Sequence, residues 1–184
     1  MKLTEIYNQK LIDYFRKNFG YQNILAIPKI EKIIVNAGIG REQLLNPNFV
    51  ESASAEIAKI TGQKPLVIYS RKAISGFKLK KGMPVGLKVT LRGKRMVDFL
   101  DRLTNIVLPR IRDFRGIKEK CLDEYGNLNI GIAEHLVFPE VKSDQVVKPF
   151  GLQINIVSSA KNREEAKALF TQLGFIFEKQ SKGD

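Results

Sequence analysis

Val85-Gly-Leu-Lys-Val-Thr-Leu-Arg92 alternates an apolar side chain with a small, basic or hydroxylic one at every step. A period of two belongs to a strand with one face in a core and the other bare. Val85, Leu87, Val89 and Leu91 make the inward set, and Gly86, Lys88, Thr90 and Arg92 the outward one. Strands of a parallel sheet are covered on both sides and read as continuous apolar runs, so this alternation points to an antiparallel sheet.

On either side of that strand the same logic finds its neighbours. Ile30 to Val35, opened by Pro28, is β-branched, with Lys32, Ile34 and Asn36 on one face. Pro65 to Tyr69, Leu128 to Ile132 and Leu152 to Val157 read as three further strands. Helical spacing governs Leu3 to Phe19, stopped by Gly20, and Asn48 to Ile60, stopped by Gly62. It returns in Lys94 to Val107, closed by Pro109, and in a last helix running to Leu173 with Gly174 as its stop. Asn162-Arg-Glu-Glu165 has the spacing of a capping box at the start of that helix. These elements predict an α+β fold: an antiparallel, roughly five-stranded sheet with helices on one face and long basic loops. The 184 residues suit one domain, with a flexible basic loop over 70–84 and a polar tail over 179–184.

With 43% hydrophobic residues and 14 glycines, the chain is neither disordered nor collagenous. The single cysteine, Cys121, excludes an intrachain disulfide, and with the single histidine, His135, it cannot fill a four-ligand N/S zinc site. MKLTEIYNQK lacks the apolar stretch of a signal peptide, and no run approaches the roughly 18 apolar residues of a membrane span. The polar face of the first helix mixes Glu5 and Asp13 with Lys10, Arg16 and Lys17, unlike a membrane-surface helix. A cytoplasmic protein without a membrane partner is expected.

The charge is informative through its position. The net charge is +12, and no acidic residue lies between Glu56 and Asp98. That interval holds eleven of the 31 basic residues, which leaves 20 basic against 19 acidic elsewhere. Such a concentration is the footprint of a polyanion. Its loop, Ser70 to Pro84, carries Phe77 and follows Tyr69, two rings able to stack on bases. A solvated charged surface is the plain alternative, but one-signed charge on a loop and on the bare face of the adjoining strand favours nucleic acid. RNA and DNA are not separated by these features.

Motifs for catalysis are weak. Asn36-Ala-Gly-Ile-Gly40 is only G-x-G and lacks a phosphate-loop ending, so it reads as a tight turn needing positive φ. Ser75-Gly-Phe-Lys78 and Ser158-Ser-Ala-Lys161 both match S-x-x-K without the companion motifs of acyl enzymes. His135 has no evident nucleophile beside it and reads as a hydrogen-bonded structural or surface residue. Asp98 and Asp101 share a helix with Arg95 and Arg102 and read as a solvated face. No catalytic residue, metal site or cofactor is predicted. An RNA-processing enzyme would need a general base or metal cluster, and a sequence-blind nucleic-acid chaperone would not need polar residues aligned on strand faces.

Longer motifs are more specific. Glu31-Lys-Ile-Ile-Val-Asn36, Thr61-Gly-Gln-Lys-Pro65, Ile74-Ser-Gly-Phe-Lys78, Lys88-Val-Thr-Leu-Arg-Gly93 and Leu108-Pro-Arg-Ile-Arg-Asp-Phe-Arg-Gly116, followed by Phe138-Pro-Glu140, resemble the large-subunit ribosomal protein five family in its bacterial or organelle-encoded form. The resemblance covers essentially the whole chain and implies a non-catalytic ribosomal protein of the central protuberance. It implies that Lys32, Asn36, Gln63, Lys88, Thr90 and Arg92 face 5S rRNA, and that large-subunit rRNA and other large-subunit proteins are neighbours. It also implies that Ser70 to Met83 reaches towards P-site tRNA, with Arg71, Lys72, Lys78, Lys80 and Lys81 on its backbone and Phe77 beside them. Arg110, Arg112 and Arg115 would approach a small-subunit head protein. Ala37, and Ala73-Ile-Ser75 where Ser-Ile-Ala is common, depart mildly from the family pattern.

Overall fold

The computed structural model describes residues 10–46, 48–112, 114–142, 146 and 148–178. Five strands, β1 (Ile30–Gly38), β2 (Leu66–Tyr69), β3 (Pro84–Leu91), β4 (Leu128–Ile132) and β5 (Leu152–Ser158), form one antiparallel sheet in the order β2-β3-β1-β5-β4. Among the described residues, four helices of ten residues or more accompany it: α1 (Lys10–Phe19), α2 (Phe49–Thr61), α3 (Gly93–Arg102) and α4 (Arg163–Gln172). The fold is α+β, as the alternation predicts. Ile33, Val35 and Ala37 of β1 are buried, as are Leu87, Val89 and Leu91 of β3. Each large apolar side chain so placed contributes about 1.5–3 kcal/mol relative to exposure.

The chain divides into two compact units. The first comprises Met1–Ile33, Arg92–Ile130 and Asn155–Asp184, and the second Ile34–Leu91 and Gly131–Ile154. Within the first, Phe15 is fully buried; it stacks on Phe19 at 5.1 Å and meets Tyr21 edge-on at 6.1 Å. Helix α4 ends in a Schellman motif: the Gly174 N–H donates to Thr171 O (3.1 Å) and the Phe175 N–H to Phe170 O (3.0 Å). Phe170 and Phe175 close that turn edge-to-face at 5.5 Å. Gly20, Gly62 and Gly174, expected as stops, all have positive φ. Farther along, Ile117 bridges Phe177, and a Cβ on Gly116 (φ +122°) would stand 2.7 Å from Glu178 N. Only glycine fits there without displacing backbone.

The second unit packs α2 and the six-residue helix Gly40–Leu45 against β3. Its interior holds His135, fully buried and stacked on Phe150 at 3.9 Å. The Phe150 N–H donates to His135 Nδ1 (3.2 Å), and Nε2 lies 2.8 Å from Glu56 Oε2. His135 thus ties Gly131–Ile154 to α2: of the two expected readings, structural or surface, it is the structural one.

Three local expectations are corrected. The helix from Lys94 to Val107 is α-helical only to Arg102; Leu103–Val107 is a π turn, where the Leu108 N–H donates to Leu103 O. Pro109 supplies no N–H and its ring crowds the carbonyl four residues back, so the wider turn relieves the contact. The capping box does not close. Asn162 makes no side-chain capping bond, while Glu165 takes the Lys161 N–H on Oε2 (3.1 Å) and the Tyr21 hydroxyl on Oε1 (3.0 Å). A partner remote in sequence has claimed the glutamate. Finally, Gly38 and Gly40 lie outside the positive-φ region. The chain passes from β1 to the short helix through Ile39 (φ −117°), whose N–H donates to Val85 O at 3.1 Å. The expected first helix is seen from Lys10 on, and residues 1–9 and the tail 179–184 lie outside the described residues.

Candidate nucleic-acid interface

Pleating sets one face of each strand away from the core. On β1, Lys32, Ile34 and Asn36, all half-buried, alternate with Ile33, Val35 and Ala37. On β3, exposed Lys88 and half-buried Thr90 alternate with Leu87, Val89 and Leu91. The two strands are neighbours, and Gly86 brings their backbones close: a Cβ there would stand 3.1 Å from Ala37 O. Asn36, Lys88 and Thr90 therefore gather on one face of the second unit. Gln63 belongs to the same unit, just past the end of α2, where its N–H donates to Thr61 Oγ1 (3.3 Å) and its carbonyl accepts from that hydroxyl (3.0 Å). The double bond fixes the backbone and leaves the amide side chain half-exposed.

Lys32 and Arg92 belong to the first unit, Arg92 at the N-cap of α3, exposed. That unit also carries exposed Arg110, Arg112 and Arg115 around the helical turn Leu108–Arg110; Asp113 among them lies outside the described residues.

Reading the sequence missed an amide set. Gln153 and Asn155 on β5 alternate with buried Ile154 and Ile156, and Asn129 on β4 with buried Leu128 and Ile130. Asn155 Nδ2 donates to Asn129 Oδ1. The period-two signal that picked out Lys88 and Thr90 was present in both segments; uncharged amides simply attract less notice than cations. Leu66 was missed as well. It pairs opposite Lys88 in the β2–β3 register and is 65% exposed, an apolar patch on the basic face.

The basic loop is built from hydrogen bonds. The Ser70 N–H donates to Met83 O (2.8 Å) and the Gly82 N–H to Ser70 O (2.9 Å), extending the β2–β3 ladder. Near its tip Ile74 and Leu79 exchange bonds of 3.0 and 3.1 Å around the 3-10 turn Ser75–Phe77. Arg71, Lys72, Lys78, Lys80 and Lys81 lie on this ribbon, its charge of one sign throughout. Phe77 enters through its backbone alone, its side chain lying outside the described set. Lys78 has φ +54°, the one non-glycine residue with positive φ among those described.

Among the described residues no three histidine, cysteine or acidic side chains are grouped to hold a metal, and no helix is long and apolar enough to cross a membrane. A bare sheet face bearing cations, a hydroxyl and amides, beside a one-signed ribbon, has the chemistry of a nucleic-acid-binding protein. The family model of ribosomal protein L5 matches residues 23–80, and the model of that ribosomal family's C-terminus matches residues 84–177. The chain is 49% identical over 176 residues to the large ribosomal subunit protein uL5 of Geotalea daltonii, covering 96% of this chain and 98% of that one. It is 47% identical to uL5 of Geobacter sulfurreducens over the same shares, and 47% identical to that of Halothermothrix orenii over 95% and 97%. The chain belongs to the ribosomal protein L5 family. It is a non-enzymatic structural protein of the large ribosomal subunit, part of the ribosome in the cytoplasm.

Proposed function

We propose that this protein holds 5S rRNA on the bare face of its sheet and joins it to the large-subunit rRNA in the central protuberance. The observation that carries this reading is the grouping of Asn36, Lys88 and Thr90 on neighbouring strands, with Gln63 in the same unit. Cations neutralise phosphates and position the RNA, while amide and hydroxyl groups reach 2′-hydroxyls and base edges. Lys32 and Arg92 add phosphate contacts from the first unit, and Asn129, Gln153 and Asn155 extend the amide set.

The ribbon Ser70 to Met83 reaches P-site tRNA with Arg71, Lys72, Lys78, Lys80 and Lys81. Arg110, Arg112 and Arg115 approach a protein of the small-subunit head. Support for these two contacts is the one-signed charge of the ribbon, the three exposed arginines of the second segment, and family membership.

The test is binding to 5S rRNA beside a shuffled RNA of equal length, titrated with salt. Preference for 5S rRNA that survives physiological salt supports the reading. Equal affinities, with log K falling steeply against log salt for both, mean counterion release alone and a sequence-blind nucleic-acid chaperone.

A further inference from the structure

Strand β2 lies at one end of the sheet, paired with β3, and the register fixes which of its side chains stand on the bare face. Leu66 lies directly opposite Lys88, whereas Val67 lies opposite buried Leu87. Opposed residues share a face, so Leu66 belongs with Lys88 and Thr90 rather than with the core. It is 65% exposed, although Pro65 before it is buried. A lone exposed leucine is ordinary on a protein surface. This one has Lys88 across the strand pair and exposed Lys64 two residues before it, all within the second unit and the acid-free interval. Among the described residues neither lysine takes part in an ion pair.

Those surroundings favour one partner. The cores of protein interfaces are depleted in lysine, and a protein covering Leu66 would strip water from two cations beside it. A polyanion instead gives them phosphates and leaves the leucine against whatever apolar surface the same strand offers. In paired RNA the base rings are stacked on one another. The wide, shallow minor groove displays base edges, 2′-hydroxyls and the sugars that carry them. Of these surfaces only the C–H faces of the riboses are apolar. Leucine is short and lysine long, so Leu66 meets a sugar where Lys88 reaches past it to the phosphate.

We propose that Leu66 packs on the C–H face of one ribose in a paired segment of the bound RNA, beside the phosphate that Lys88 holds. The inference rests on the 5S-binding reading above and adds an apolar contact to a set of cations, a hydroxyl and amides. It makes Leu66 a specificity-determining residue. An apolar contact rewards an RNA backbone that lies against the sheet and gives nothing to one held off by a layer of water.

The test uses the full-length protein with 5S rRNA and a shuffled RNA of equal length, each titrated with salt. Leu66→Thr keeps strand propensity and removes apolar surface. It should weaken 5S binding roughly five- to tenfold, with the slope of log K against log salt unchanged. Leu66→Met stays apolar and should keep close to native affinity. Leu66→Lys should steepen the slope by about one and tighten binding of the shuffled RNA, yet bind 5S rRNA less well than the native protein. Thermal melts confirm that each variant is folded before its affinity is read. Unchanged 5S affinity in Leu66→Thr, a loss in Leu66→Met as large as in Leu66→Thr, or tighter 5S binding in Leu66→Lys would each overturn the contact. A native protein that does not prefer 5S rRNA overturns the proposed function instead. In that case a loss in Leu66→Thr on both RNAs alike keeps the sugar contact, and no loss on either removes it too.

Discussion

His135 shows how one residue can be indispensable without chemistry. Its ring is fully buried, stacked on Phe150, and joined to Glu56 at 2.8 Å and to the Phe150 backbone at 3.2 Å. His135→Ala removes the packing and strands a buried carboxylate, so a loss of about 3 kcal/mol or more is expected. Urea denaturation measures it, and Glu56→Gln, which keeps an acceptor opposite Nε2, should cost much less. Tyr21 sets a second test at this scale. Burial first, then its hydrogen bond to Glu165 and that residue's charge, raise the phenol above its ordinary value of 10.0. A folded-state value above the unfolded one gives stability that is complete below pH 10 and lost as pH climbs through the folded value. The Tm advantage of the native protein over Tyr21→Phe should therefore be present at about pH 8 and shrink above about pH 10.

At the scale of elements, the strands were legible because alternation is a local property. β1, β3, β4 and β5 fall where the period-two pattern puts them, within a residue or three at the ends. Helix ends marked by glycine were equally plain. The π turn at Leu103–Val107 was not, since Pro109 announces a stop without saying how the preceding turn accommodates its ring. The capping box failed for a different reason: Glu165 answers to Tyr21, a partner 144 residues away that no window can see. Gly116 carries the element-scale prediction. A methyl group there meets Glu178 N at 2.7 Å and Phe177 C at 2.9 Å, on a backbone at φ +122°. Gly116→Ala should cost about 2–3 kcal/mol and loosen the bridge from Ile117 to Phe177, read by thermal melts and by amide exchange of Glu178, whose N–H donates to Ile117 O.

At the scale of the whole molecule, the proposed division of roles between ribbon and sheet sets the tests. Lys80→Ala should leave isolated 5S rRNA binding nearly intact yet weaken tRNA retention on assembled ribosomes; a large fall in 5S affinity would contradict the separate roles of ribbon and sheet. Thr90→Val keeps shape and strand propensity but removes a hydroxyl from the bare face of β3, and should weaken 5S binding by roughly five- to tenfold. Because the threonine is uncharged, the slope of log K against log salt should stay unchanged. An unaltered affinity would remove Thr90 from the interface.

Sequence alone determined the fold class, the strand faces, the acid-free basic interval and the family, for each is carried by neighbours along the chain or by motifs in order. Which residues share a face of the sheet was decided by tertiary structure. Strand order β2-β3-β1-β5-β4 sets Asn36 on one face with Lys88 and Thr90 although more than fifty residues separate them. It also revealed the amides of β4 and β5, whose lack of charge had hidden them. The same holds for Leu66: its own polarity points to the core, and only pairing with a strand further along the chain shows that it stands beside Lys88 on the bare face.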